Sequence, residues 1–217
     1  MTIAFYEKRA RQPLSAATLV LVDVCQGRQM EQDAVAAGAI HAILERCLTA
    51  LETARRHGVP VVFVHDQRSD EAGLPIGESR WFSGFEPRRY ESVVASKGPS
   101  CYASPYFSEI LEGAGRSMLL AGLLGLEAAA ATARDACRHG HRLTVLGDAV
   151  GFDSTALVRE SLAPESKDPD LARGGGQDRL AVQAVTTLDW LALIAPATAQ
   201  AARWQGTQLH GQLRTQG

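Results

Sequence analysis

Apolar positions along the chain follow two alternating rhythms. Ala17 to Val24 (ATLVLVDV) is a nearly unbroken apolar run, rich in Val and Leu, with an acid, Asp23, close to its end. Such a run suits a strand covered on both faces. From Asp33, a side chain able to cap a helix, to about His57, Ala, Leu and Ile return at helical spacing. Gly58 fits the position just past a helix end. Pro60 then leads into VVFVHD, a second buried strand. Strand, long helix and strand make a βαβ unit.

The pattern breaks over residues 66–90, which carry Gly73, Pro75, Gly77, Gly84 and Pro87 among Trp81, Phe82 and Phe85. This predicts a long loop, and long loops in compact domains tend to be functional. Ser92–Ser96 reads as a short strand with Lys97 directly after it, and a short helix is expected from about Ser104 to Leu111. Arg116–Gly122 is a fourth strand, 126–138 an Ala-rich helix, and Arg142–Gly147 a fifth strand ending at Asp148. Residues 163–175 are polar and rich in Gly and Pro, hence an exposed loop. A helix near 178–188, a strand at Leu191–Ile194 and a helix near 197–204 complete the expectation, with a frayed tail after Trp204. The alternation predicts one α/β domain over residues 1–217: three layers, with a mostly parallel six-stranded sheet between helices. Sites in such sheets lie at the carboxyl ends of the strands. Asp23, His65, Asp66, Lys97, Gly122 and Asp148 all fall there.

Composition refines this picture mainly by exclusion. Within 217 residues, 46% apolar is ordinary for a globular protein. A net charge of −2 with scattered basic residues gives no footprint for nucleic acid. No apolar stretch is long enough to span a membrane, and Met1–Gln12 lacks the apolar core of a secretory signal. Cys25, Cys47, Cys101 and Cys137 include no CxxC pair, as expected of thiols in a cytoplasmic protein.

An acid ending a buried strand can act as a general acid or base, and a lysine beside it favours the ionised form and can hold an anion. Asp23 and Lys97 are the candidates. The segment from Gly122 to Ala136 runs from a strand through a glycine-marked turn into a helix, whose N-terminus offers free N–H groups and a positive dipole end. That is a candidate oxyanion hole. Gly122 and Gly125 also fit the last two glycines of a dinucleotide-binding GxGxxG, but Leu120 occupies the first, where the tight turn needs glycine. A nucleotide-binding α/β protein is therefore the weakest alternative.

Three stretches, in order, resemble the isochorismatase-like, or cysteine hydrolase, superfamily. LVLVDVCQG is similar to its first strand with the catalytic acid, at Asp23. SKGPSCYASPYFSEIL is similar to its lysine motif, at Lys97, Ser100 and Tyr102. GLLGLEAAAATARDACRHGHRLTVLGDAV is similar to its nucleophile turn with the following helix and strand. The likeness covers about residues 16–150, and more weakly 177–204. It implies a hydrolase of small molecules, with an ancestry among enzymes that cleave amides, ureas or carbamates. It further implies an oxyanion hole at the turn Leu123, Leu124 and residue 128, and a cis Leu123–Leu124 peptide. The substrate pocket is expected to include Cys25, His65, Trp81, Phe82 and Tyr102. No cofactor and no metal are expected, since a nicotinamidase-type site needs several histidines near His65 and Asp66. The expected partner is a small-molecule substrate, and the expected assembly a dimer or tetramer of identical chains.

At the nucleophile position the family's cysteine is replaced by Ala128. A methyl group cannot attack a carbonyl, which closes the thioester route. Three readings remain open: a nucleophile removed by substitution, a natural branch without the cysteine, or a non-catalytic binding protein on the same fold. In the branch without cysteine, Asp23 would act on a water or protonate a vinyl ether. Isochorismatase proper is disfavoured, because Leu126 stands where its turn histidine is expected.

Overall fold

A computed structural model describes residues 17–25, 34–66, 81–157 and 182–194. The sheet contains β1 (Thr18–Val22), β2 (Val61–Asp66), β3 (Ser92–Ser96), β4 (Ser117–Gly122), β5 (Arg142–Val150) and β6 (Gln183–Val185). Its order is β3-β2-β1-β4-β5-β6, and every neighbouring pair is parallel. β1 and β4 are buried along their whole length, which explains why they read as continuous apolar runs. The chain winds outward from β1 through β2 to β3, then returns to the centre and winds the other way from β4. The expected three-layer α/β architecture is therefore the observed one.

Helix α1 (Ala34–His57) covers one face of the sheet, burying Cys47, Ala50, Leu51 and Ala54 against Leu19, Leu21 and Phe63. The spacing of these four residues puts them on one stripe. Arg55, Arg56 and His57 occupy its last turn, where positive charge complements the helix dipole. Gly58 closes it at φ 68°, with Val59 N–H donating to Ala54 C=O at 2.9 Å. On the opposite face, α2 (Phe107–Gly113) and α3 (Leu126–Arg138) pack on Val20, Val62 and Leu120. The buried face of α3 is small (Ala129, Ala130, Thr132, Ala133, Ala136), so its backbone approaches the sheet closely.

The C-terminal expectations need correction. The predicted helix near 178–188 and strand Leu191–Ile194 are replaced by β6 at Gln183–Val185 and a helix over 187–194, here α4. Thr187, Trp190 and Ile194 are all buried, at helical spacing, so the apolar residues mark a helix stripe. The start of α4 is fixed by a reciprocal cap. Thr186 Oγ1 donates to Asp189 Oδ2 at 2.7 Å, and Asp189 N–H donates to Thr186 Oγ1 at 3.1 Å. Asp148, expected just past a strand end, lies within β5. It accepts bonds from Thr187 N–H and Oγ1, each at 2.8 Å, and so anchors α4. The short helix expected from Ser104 begins at Phe107, after a 3-10 turn over Cys101–Ala103. The loop at 163–175 and the helix near 197–204 lie outside the described residues.

A buried ion pair ties α1 to the segment leading into β3. Arg55 Nε and Nη2 reach the two Glu91 oxygens at 2.8 and 2.9 Å, and the side chains are only 9% and 1% exposed. The guanidinium also donates to Gly84 C=O and Glu86 C=O. Burial alone would raise the Glu91 carboxyl, but Arg55 and the Arg88 N–H hold it below its usual value. Arg55→Ala leaves Glu91 buried and uncompensated, so a loss of about 3–5 kcal/mol is expected in denaturant unfolding. Arg55→Lys should recover only part of it, because an ammonium cannot reproduce the fork. A loss under about 1 kcal/mol in Arg55→Ala would show the pair to be dispensable.

Candidate functional site

The winding reverses between β1 and β4, and in open parallel sheets the crevice for ligands lies at that reversal, beyond the carboxyl ends of the strands. Asp23 follows β1, and Gly122 ends β4 directly beside it. A glycine turn at the end of β4 differs from the dinucleotide arrangement, where the phosphate-binding turn follows β1.

Asp23 does not continue its strand. Its φ is 53°, in the left-handed region that Asp tolerates better than most residues, while its N–H donates to Val64 C=O at 2.9 Å. In a regular strand, alternation would put Cys25 on the same side as Asp23, but the strand geometry has ended here. Cys25 instead forms an isolated antiparallel bridge with Trp81. What gathers the two side chains is His65, at the end of β2. Cys25 Sγ lies 3.3 Å from His65 Nδ1, and Asp23 Oδ1 lies 3.7 Å from the same nitrogen. The thiol and the imidazole are buried, and Asp23 is partly open to solvent.

The turn after β4 supplies the opposite wall. Gly122 has φ 128°, and Leu123 N–H donates to Val22 C=O at 2.9 Å. Helix α3 begins after Gly125, which offers no side-chain cap, and its first ladder bond runs from Ala129 N–H to Gly125 C=O. The N–H groups of Leu126, Glu127 and Ala128 thus have no intrahelical partner. Ala128 is half-buried and packs against the α3 side of the core. The expected cis Leu123–Leu124 bond is not found, since no peptide among the described residues is cis. The positive φ of Gly122 already turns the chain there, without the roughly 2.5–4 kcal/mol that a non-proline cis bond costs.

Of the other sequence candidates, Trp81 and Phe82 adjoin this group, and Lys97 and Tyr102 belong to other parts of the fold. Lys97 follows β3, two strands from β1, is exposed, and among the described residues makes no ion pair. Trp81 is half-buried with its ring edge-on to Phe63 at 5.2 Å, and Phe82 N–H reaches Val24 C=O at 3.4 Å, so both brace the chain around Cys25. Tyr102 lies elsewhere. Its hydroxyl is 2.8 Å from His141 Nδ1 and its ring stacks on His139 at 4.8 Å. His141 precedes the first residue of β5, and with Ser117 paired to Arg142 it sits at the opposite edge of the sheet. At about 3.3 Å per residue, that edge is roughly 20 Å from Asp23. Burial, followed by the neighbouring His139 charge, holds His141 below its ordinary pKa.

Among the cysteines, Cys47 lies in the core and donates to Ala149 C=O at 3.4 Å, and burial pushes its thiol up to about 12. It stays protonated at neutral pH and is no nucleophile. The sequence puts Cys25 and His65 in the pocket and Asp23 at the same sheet edge, but it does not convey that the thiol and the carboxylate converge on His65 Nδ1. The available signal was Asp-x-Cys after one buried strand and His ending its neighbour.

Comparison with known proteins bears on this arrangement. The isochorismatase domain family matches residues 17–163. A secreted isochorismatase effector of Verticillium dahliae is 29% identical over 157 residues, spanning 67% of this chain and 80% of that protein. Among solved structures, a cysteine hydrolase from Pseudomonas syringae matches with a TM-score of 0.59 at 15% identity, covering 86% of this chain and 97% of that one. N-carbamoylsarcosine amidase from Thermoplasma acidophilum matches with a TM-score of 0.55 at 22% identity, covering 79% and 96%. At these identities the structural likenesses speak for the fold alone. The family match, by contrast, runs through β1 to β5 and takes in both walls of the crevice, and on that ground the chain belongs to the isochorismatase family.

Proposed function

We propose that the chain hydrolyses a small molecule at the crevice between β1 and β4, with Asp23 as the group that moves the proton. One observation carries this reading: Asp23 is held in a left-handed backbone conformation at the reversal point of the sheet, partly open, across from an uncapped helix N-terminus. The substrate class is an amide, urea or carbamate, in keeping with the amidase among the solved structures of this fold. Ala128, at the position where the resemblance puts the family's nucleophile, supplies no thiol, so the attacking atom is water oxygen. Asp23 accepts one water proton as the new C–O bond forms. The developing oxyanion lies toward the free amides at the start of α3, and the C–N bond breaks with its electron pair and a proton going to nitrogen.

A second reading, a binding protein without catalysis, is favoured by two placements: the methyl of Ala128 and the exposed Lys97. Turnover of a panel of small amides, ureas, carbamates and vinyl ethers separates the two. The hydrolase reading expects at least one C–N substrate to be consumed by the unaltered chain. Activity only in Ala128→Cys would point to a binding protein that has lost its nucleophile. Consumption of vinyl ethers alone would move the chemistry to protonation by Asp23. We also place the chain in the cytoplasm as a dimer or tetramer. None of its four cysteines is in a disulfide, and among the described residues no helix is long and apolar enough to cross a membrane.

A further inference from the structure

We propose that Asp23, Cys25 and His65 bind one divalent transition metal of the zinc class. Their donor atoms, a carboxylate oxygen, Sγ and a ring nitrogen, all lie within 4.8 Å of one another. Around a tetrahedral zinc with bonds of about 2.3 Å to sulfur and about 2.0–2.1 Å to nitrogen and oxygen, neighbouring donors stand roughly 3.3–3.6 Å apart. The separations of 3.3 Å from Cys25 Sγ to His65 Nδ1 and 3.7 Å from Asp23 Oδ1 to that nitrogen lie within a few tenths of an ångström of this spacing, so small side-chain adjustments bring the three donors onto one ion.

The alternative is a hydrogen-bonded Cys-His-Asp relay, and the geometry disfavours it. A relay uses the two ring nitrogens, one toward the thiol and one toward the carboxylate. Here the thiol and the carboxylate both face Nδ1, where a relay would divide them between the two nitrogens. The 3.7 Å separation is also too long for a hydrogen bond. The three groups converge on a point instead of forming a line.

The donor set selects the ion. A thiolate with an imidazole and one carboxylate is borderline-soft, which suits zinc or cobalt and disfavours magnesium or calcium. Three protein ligands are the count of a catalytic site, in which the fourth position goes to water or substrate. With the ion bound, Asp23 would hold the metal instead of taking the proton itself, and the Lewis acid would activate the water at the edge where the helix turn offers no thiol. That catalytic consequence rests on the hydrolase reading, while the binding itself does not.

The test uses the full chain, stripped with a chelator and titrated with Co²⁺. One equivalent should bind with tetrahedral d–d bands and an intense thiolate-to-cobalt charge-transfer band in the near ultraviolet. One equivalent of Zn²⁺ should erase the spectrum and excess Mg²⁺ should not. Cys25→Ser should abolish the charge-transfer band and weaken cobalt binding by at least about 100-fold. Cys137→Ser, outside the cluster, should change neither. Absence of the band in the unaltered chain under excess cobalt, or its persistence in Cys25→Ser, overturns the proposal. The spectrum is read without substrate. Loss of the metal site would therefore leave the hydrolase reading intact, and an inactive chain that shows the band would sink only the latter.

Discussion

Alanine at Gly122 is expected to cost more than about 5 kcal/mol, enough to take most of the stability of a domain of this size. A Cβ there would stand 2.0 Å from Val22 O and 2.7 Å from Val22 N, inside backbone atoms that have no rotamer to give. Its φ of 128° lies in a region that essentially only glycine occupies, adding about 1–3 kcal/mol of strain. The clash could be relieved by parting β4 from β1, but Leu123 N–H to Val22 C=O is the bond that closes the two strands at the crevice. The central pair of the sheet and the site wall would fail together. Thermal and denaturant unfolding check this, with Gly125→Ala as the matched control. Gly125 starts the same helix at φ −85°, and an added Cβ there meets nothing within 4 Å. Similar stability in the two variants would refute the steric account.

The same glycine shows what the sequence could and could not convey. Its place after an apolar run and before an Ala-rich helix marked a strand, a turn and a helix, and those elements are found where expected. Fully buried strands announce themselves because β1 and β4 are apolar on both faces beyond their first residues, Thr18 and Ser117. How the turn is made was not legible. A cis bond and a left-handed glycine both reverse a chain, and only the contact with Val22 distinguishes them. The misplaced sixth strand has a plainer origin. Thr186-Thr-Leu-Asp189 is a capping-box sequence, and the short apolar run after it was read by content instead of by the cap that precedes it. For the site, Asp23 and His65 were both visible as residues ending buried strands, while the contact between them was not. Parallel register pairs Val22 with Val64 and so sets Asp23 beside His65, a fact of strand pairing that single-strand patterns do not carry. Lys97 stands two strands away, exposed, because β2 intervenes between β3 and β1.

Asp23→Asn should lower turnover of whichever substrate the chain consumes by about 10²–10⁴-fold while leaving the fold in place. Asparagine is the informative replacement because of the backbone. At φ 53° an alanine would add left-handed strain of about 1–2 kcal/mol, mixing a stability loss with a chemical one. Asparagine occupies that region as readily as aspartate, so the Asp23 N–H keeps its bond to Val64 C=O and the strand end keeps its shape. The melting temperature should therefore move by less than about 3 °C, the equivalent of roughly 1 kcal/mol for a chain of this length. What is lost is the negative charge and its ability to accept a proton. The kinetic signature is a fall in kcat with KM nearly unchanged, since a group that acts on the attacking water contributes to the transition state more than to substrate binding. A rise in KM at constant kcat would make Asp23 a substrate-binding residue. Full activity in Asp23→Asn would remove it from the reaction and, with it, the case for hydrolysis at this edge of the sheet.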